Sequence, residues 1–280
     1  MKNNYKEEKK SAKMILKHYI KSSFKSVSIW TLAVSSIMVL IVAMYPFFED
    51  SLAALADISP EMSAFIDLFT GGGINNVADF YILEGGQMYL LVGSFFAAFM
   101  GFNAFKKEII DGIYEYIYSL PIKRKSIFKA KFVSGFINII LFNMVIAATS
   151  IASMYLIIGD ISFNMLNFFY YFVISALIGL IIFSIFFAFG AILKSKAHLG
   201  IAAGIVLYLY IANFMAEISS SLVLLKILTP FSLLKTSSPG GLMDIGINSL
   251  DLIRAGGWSI FSIVLICISL KLFNNSDIKN

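Results

Sequence analysis

Glu108, Asp111 and Glu115 stand at i, i+3 and i+7, a spacing that puts three carboxylates on one face of a helix. Ile109, Ile110, Ile113, Tyr114 and Ile117 recur at helical spacing and form an apolar stripe on the other face. Pro121 pushes Leu120 away from the αR region, so this helix is expected to run to Leu120 and stop. A basic helix follows, from Lys123-Arg124-Lys125 to Lys131. Acids on one limb, a Pro turn and bases on the other make an elbow suited to electrostatic docking. Its chemistry is recognition, not catalysis.

The rest of the chain offers little reactive material. The histidines are His18 and His198, and the single Cys267 lies in an apolar run, so neither an intrachain disulfide nor Cys-based metal ligation is supported. Cys267 reads as a small packing residue. No G-x-x-x-x-G-K-[ST] sequence occurs, so the chain lacks a P-loop to cradle ATP phosphates. Gly200 and Gly204 form a GxxxG, which permits close helix approach either between subunits or within one bundle. Asn138, Asn143 and Asn213 are polar spots within apolar runs. Interhelical hydrogen bonding is the commoner role for such residues, and contact with a translocated substrate is the alternative.

These residues must be positioned by membrane spans. The AVILMFWYC fraction is 59% and the mean hydropathy is +0.83 over 280 residues. Soluble domains hold about 45–50% with Gly included, so a soluble globular fold is excluded. Six stretches meet the length and polarity required of a span: 27–48, 87–105, 132–158, 166–193, 199–216 and 256–270. The last is the shortest and is expected to extend. The runs are continuously apolar rather than alternating, which favours helices over a barrel. The fold class is therefore an all-α membrane protein with six transmembrane helices. Residues 1–26 form a cytoplasmic or interfacial amphipathic segment, and 27–280 form one transmembrane domain.

Charge gives the orientation. Of the 22 Lys and Arg, 19 fall in the leader, the 106–131 loop, Lys194, Lys196, Lys271 and Lys279, all on one side of the spans. Loop 49–86 carries seven acids and no base. The positive-inside rule places both termini in the cytoplasm and the odd-numbered loops outside. Ile15, Leu16, Tyr19, Ile20 and Phe24 among the leader lysines predict an interfacial elbow helix in the inner headgroup layer. Trp30 suits the inner interface, and Tyr45, Phe47 and Phe48 the outer one. Ser59-Pro60-Glu61 predicts a short helix through Phe69, ended by Gly71-Gly72-Gly73. The acids of that loop read as a solvated face or as a vestibule for cations. Loop 217–255 holds an apolar run, 222–228, too short to span. Ala54-Leu55-Ala56 offers a signal-cleavage pattern, but the long leader and Glu49-Asp50 argue against processing. The basic excess follows the membrane faces and no recognition motif accompanies it, so no nucleic-acid partner is expected.

No Asp, Glu, Lys, Arg or His falls inside any of the six stretches. Ion-coupled carriers and voltage sensors need intramembrane charge. The spans are also expected to lack an internal Pro break, which disfavours sodium sites built from backbone carbonyls. If transport is active, its energy must come from a separate ATPase chain. A non-transporting binding or regulatory subunit is the alternative, and an ion-coupled carrier is less favoured.

The pattern Glu108, Gly112, Glu115, Ser119-Leu120-Pro121-Ile122, Arg124 and Lys131 resembles the loop between the second and third helices of ABC-2-type transporter permeases. Leu228-Thr229-Pro230-Phe231 and the C-terminal run from Phe273 to Ile278 echo it more weakly. The resemblance implies a permease subunit of an ATP-driven exporter in a bacterial plasma membrane, not itself an enzyme. It implies a coupling helix in which Glu108, Asp111, Gly112, Glu115, Ser119, Leu120, Pro121 and Arg124 meet an ATP-binding subunit. That partner would hold ATP and Mg, with no cofactor on this chain. A second permease copy or paralogue and membrane lipids are the other implied partners. Lipids, peptides, antibiotics and polysaccharides are the implied substrate classes.

Overall fold

The computed structural model describes residues 2–56, 58–59, 76–113, 116–117, 122–159, 163, 165–193, 198–218, 220–222, 224–234 and 249–275. Glu115, Ser119, Leu120, Pro121, the helix expected at 60–69, Gly71-Gly72-Gly73, Lys194 and Lys196 lie outside them. The described chain is helical: α1 (Lys2–Ala56), α2 (Val77–Ile110), α3 (Arg124–Ile157), α4 (Met165–Leu193), α5 (Leu199–Ile218), the short α6 (Leu225–Leu228) and α7 (Ser249–Asn275). Six of these are long and apolar enough to cross a membrane, and they coincide with the six stretches expected.

Helix α4 is the hub. Its apolar character runs all round, as suits a helix enclosed by others. It packs on α2, α3 and α7, while α1 packs chiefly on α3. The α2–α4 crossing is backbone to backbone. A Cβ on Gly101 would lie 2.7 Å from the Phe187 nitrogen, and one on Gly190 would lie 3.0 Å from the Gly101 carbonyl.

Three boundaries differ from the sequence expectation. Helix α1 is continuous from leader to span, because neither Gly nor Pro interrupts residues 2–45. The leader is thus no separate element, and Pro46 sits inside the helix near its far end. Helix α2 starts ten residues before the expected Gln87: Asn76, in extended conformation, caps it by accepting from the Asp79 N–H at 3.0 Å. Asp79 and Glu84, read as loop acids, therefore belong to the helix, and Asp79 is buried. The added start of α2 includes a π-helical turn, Tyr81–Gly86, ahead of the expected stretch 87–105. Helix α7 extends at both ends, to Ser249 and Asn275.

After α5 the chain folds back in short turns. Thr229 Oγ1 donates to the Leu209 carbonyl at 2.9 Å and accepts from the Phe231 N–H at 3.3 Å. Phe231 is buried and meets Tyr210 edge-on at 5.5 Å.

Candidate functional site at the base of the 111–123 loop

The first limb of the elbow is shorter than its apolar spacing predicts. Gly112 takes a left-handed φ of +68°. The Gly112 N–H donates to the Ile109 carbonyl at 3.3 Å and the Ile113 N–H to the Glu108 carbonyl at 3.1 Å. This is a Schellman stop, and it ends α2 at Ile110. A new helical turn includes Tyr116 and Ile117, whose N–H donates to the Ile113 carbonyl at 3.1 Å. The stripe from Ile109 to Ile117 is consequently split. Ile110 is 70% exposed while Ile117 is buried. Asp111 lies exposed at the stop. On the second limb Lys123, with extended backbone, precedes Arg124, which opens α3 as expected.

Glu108 does not share an exposed face with Asp111. Its Oε2 meets Lys131 Nζ at 2.7 Å, and its Oε1 accepts from the Tyr19 hydroxyl at 2.6 Å. The two charged side chains are 6% and 1% exposed. Lys131 Nζ also lies 4.4 Å from the Phe105 ring centroid and 5.5 Å from that of Tyr19. Both residues had read as water-facing members of the elbow, and the structure corrects this: they are the clasp beneath it. A buried charge must be paired and hydrogen-bonded, and both carboxylate oxygens here are used. Nearby, Asn138 Nδ2 donates to Ser23 Oγ at 2.8 Å, and Lys107 Nζ donates to the Ser22 carbonyl and hydroxyl at 3.2 Å. The leader half of α1 is thereby tied to the end of α2 and the start of α3.

An aromatic plug sits beside the clasp. Phe105 from the end of α2 lies 5.9 Å from Phe128 at the start of α3, 5.0 Å from Phe187 of α4 and 5.3 Å from Phe273 of α7. Phe128 in turn contacts Phe187 at 5.1 Å and Phe273 at 5.6 Å. The C-terminal run thus contributes through Phe273, while its residues after Asn275 lie outside the described chain. Four helices meet where the loop is rooted.

A family model described as ABC-2 family transporter protein matches residues 15–276. The chain belongs to the ABC-2 transporter family. Comparison with curated proteins finds no match. As an ABC-2 family member with six apolar helices it is a multi-pass membrane transport subunit. Membership implies partnership with an ABC ATP-binding subunit.

Deeper in this ABC-2 protein, a seam of tyrosines joins the helices. The Tyr81 hydroxyl lies 2.6 Å from Ser150 Oγ, and the Tyr89 hydroxyl donates to Asn143 Oδ1. Tyr171 donates to the Gly86 carbonyl at 3.2 Å, where the π-helical turn ends, and Tyr210 donates to Gln87 Oε1 at 2.8 Å. Buried hydroxyls need such partners, and these link α2 to α3, α4 and α5. Of the asparagines singled out from sequence, Asn143 belongs to this seam, Asn138 to the loop base, and Asn213 lies buried on α5. They are not gathered at one place. Gly200 and Gly204 have open space where a Cβ would project, so neither packs closely on another helix among the described residues. The close crossing uses Gly101 and Gly190 instead. Isolated glycines inside apolar runs were the available signal for it.

Proposed function

We propose that this chain is the permease half of an ATP-driven exporter in a bacterial plasma membrane, with both termini cytoplasmic. Two permeases, identical or paralogous, enclose a central path. A separate ATP-binding subunit, carrying ATP and Mg, grips each elbow through Asp111, Gly112, Glu115, Ser119, Leu120, Pro121 and Arg124. The supporting observation is the root of the loop. Because the Glu108–Lys131 pair and the Phe105–Phe128–Phe187–Phe273 plug bind its two ends together, displacement of the elbow is carried into α2, α3, α4 and α7 as one body. Closure of the ATP-binding subunits then switches the path between inward and outward access. The family match and the one-sided distribution of Lys and Arg support the same reading.

The test is substrate-stimulated ATP hydrolysis and transport by the reconstituted complex. Exposed interface ion pairs are worth about 0–1 kcal/mol each, so one neutralised residue should have little effect. Glu115→Lys combined with Arg124→Glu substitutes repulsion for attraction and should uncouple the complex, as should Pro121→Ala through the turn. Wild-type coupling in both variants would exclude the elbow as the coupling element.

A further inference from the structure

A cavity of about 360 Å³ opens between the leader half of α1 and the loop ends of α2 and α3. This is within the size range of small-molecule sites. Its rim carries His18 and Ser22 of α1 with Lys107 and Asp111 of α2, Asn103 and Ser134 line its wall, and Met100 and Phe183 lie at its floor. From Asp111 to Met100 the lining runs along about 16 Å of helix at 1.5 Å per residue. The cavity therefore starts at the polar helix ends and reaches into the apolar band.

Two features fit this cavity to a ligand. Ser134 is only 4% exposed, and neither it nor Asn103 has a hydrogen-bond partner among the described residues. Both side chains line the cavity with hydrogen-bonding capacity open to its occupant. The charges on the rim are also unbalanced locally. Glu108 and Lys131 neutralise each other in the clasp, whereas Lys107 bonds only to the uncharged Ser22 and Asp111 forms no ion pair among the described residues. Lys107 and Asp111 are one helical turn apart, about 5–6 Å between Cβ atoms. The rim thus presents a cation and an anion one helical turn apart, a pairing that a zwitterionic headgroup complements.

We propose that this cavity binds a zwitterionic aminophospholipid from the adjoining leaflet. Lys107 and His18 meet its phosphate, Asp111 accepts from its primary ammonium, and Asn103 and Ser134 bond the glycerol-ester oxygens. Met100 and Phe183 meet the first carbons of an acyl chain. The lipid thereby fills the gap between the leader and the root of the elbow.

The test is lipid binding to the full-length chain in detergent, read by native mass spectrometry with phosphatidylethanolamine, phosphatidylglycerol and soluble phosphoethanolamine as probes. Phosphatidylethanolamine should bind tightest. Asp111→Asn should weaken it about tenfold, the loss of one charge-assisted hydrogen bond, and leave phosphatidylglycerol unchanged. Lys107→Gln should weaken both lipids, and Ser134→Leu should fill the site. Lys17→Gln, an exposed α1 lysine outside the cavity, should change neither. Equal binding of the two lipids with no effect of Asp111→Asn would overturn the proposal. So would a Lys17→Gln loss equal to that of Lys107→Gln, which signals surface attraction alone, or phosphoethanolamine binding as tightly as the lipid. Lys107 and Asp111 are exposed, so the test stands even if Ser134→Leu does not fold.

Discussion

Replacing Lys131 with Met leaves the Glu108 carboxylate enclosed, with one oxygen still held by Tyr19 at 2.6 Å and the other without its cation. Removing one member of a buried pair costs about 3–5 kcal/mol. The pair is 6% and 1% exposed, so solvent screening gives little relief. Glu108→Gln is milder, since the amide oxygen still accepts from Tyr19 and the lysine keeps the Phe105 ring at 4.4 Å. A desolvated cation over a ring retains about 2 kcal/mol, so this variant should lose about 1–3 kcal/mol. The double variant buries no charge at all and should lose about 0–2 kcal/mol, less than Lys131→Met alone. The assay is denaturant unfolding in detergent, followed by the fluorescence of Trp30 and Trp258. Independent sites add to within about 0.5 kcal/mol. If the double variant equals the sum of the singles to that margin, the pair is not a clasp and the transmission route drawn through it fails.

Three further outcomes follow from the structure and the charge pattern. In a Cys267→Ser background, a cysteine at Ser63 should react with an impermeant maleimide from outside and one at Ser126 should not; the opposite pattern would invert the proposed topology. Gly112→Ala should strain the helix stop by about 1–2 kcal/mol, because its φ is +68° although space for a Cβ is open. That variant should show faster proteolysis within the loop and weaker ATPase coupling, and Gly112→Asn should be milder. Gly101→Ala forces a Cβ to 2.7 Å from the Phe187 nitrogen and should cost about 1–3 kcal/mol in unfolding experiments, whereas Gly204→Ala should leave unfolding of the single chain unchanged.

The membrane helices were legible because length and continuous apolarity suffice to locate them; only their ends shifted. Asn76 and Asp79 form a readable helix start, but acids at that place equally mark a solvated loop. The clasp was harder to see. Glu108 and Lys131 are separated by a turn whose path depends on the left-handed Gly112, and hydropathy assigns any Glu or Lys near a span end to the surface. A Gly following an apolar-periodic run with Lys107 in its last turn is nonetheless a recognised helix stop. Of the seam of Tyr81, Tyr89, Tyr171 and Tyr210, only the partner Asn143 was marked in the sequence. Whether a hydroxyl meets Ser150, Asn143 or a backbone carbonyl depends on how each helix is rotated against its neighbour.

Because α1 runs unbroken from the leader into the first span, it behaves as a keyed shaft. Val34, Met38 and Val42 seat one end in the bundle, and Tyr19 engages Glu108 at the other. With 3.6 residues per turn, one residue inserted between them turns Tyr19 by about 100° out of its socket. Four inserted residues return it to within about 40° of the original phase, but about 6 Å further along the axis. Length changes in this segment therefore shift the fit in angle and in depth together. No single insertion preserves both.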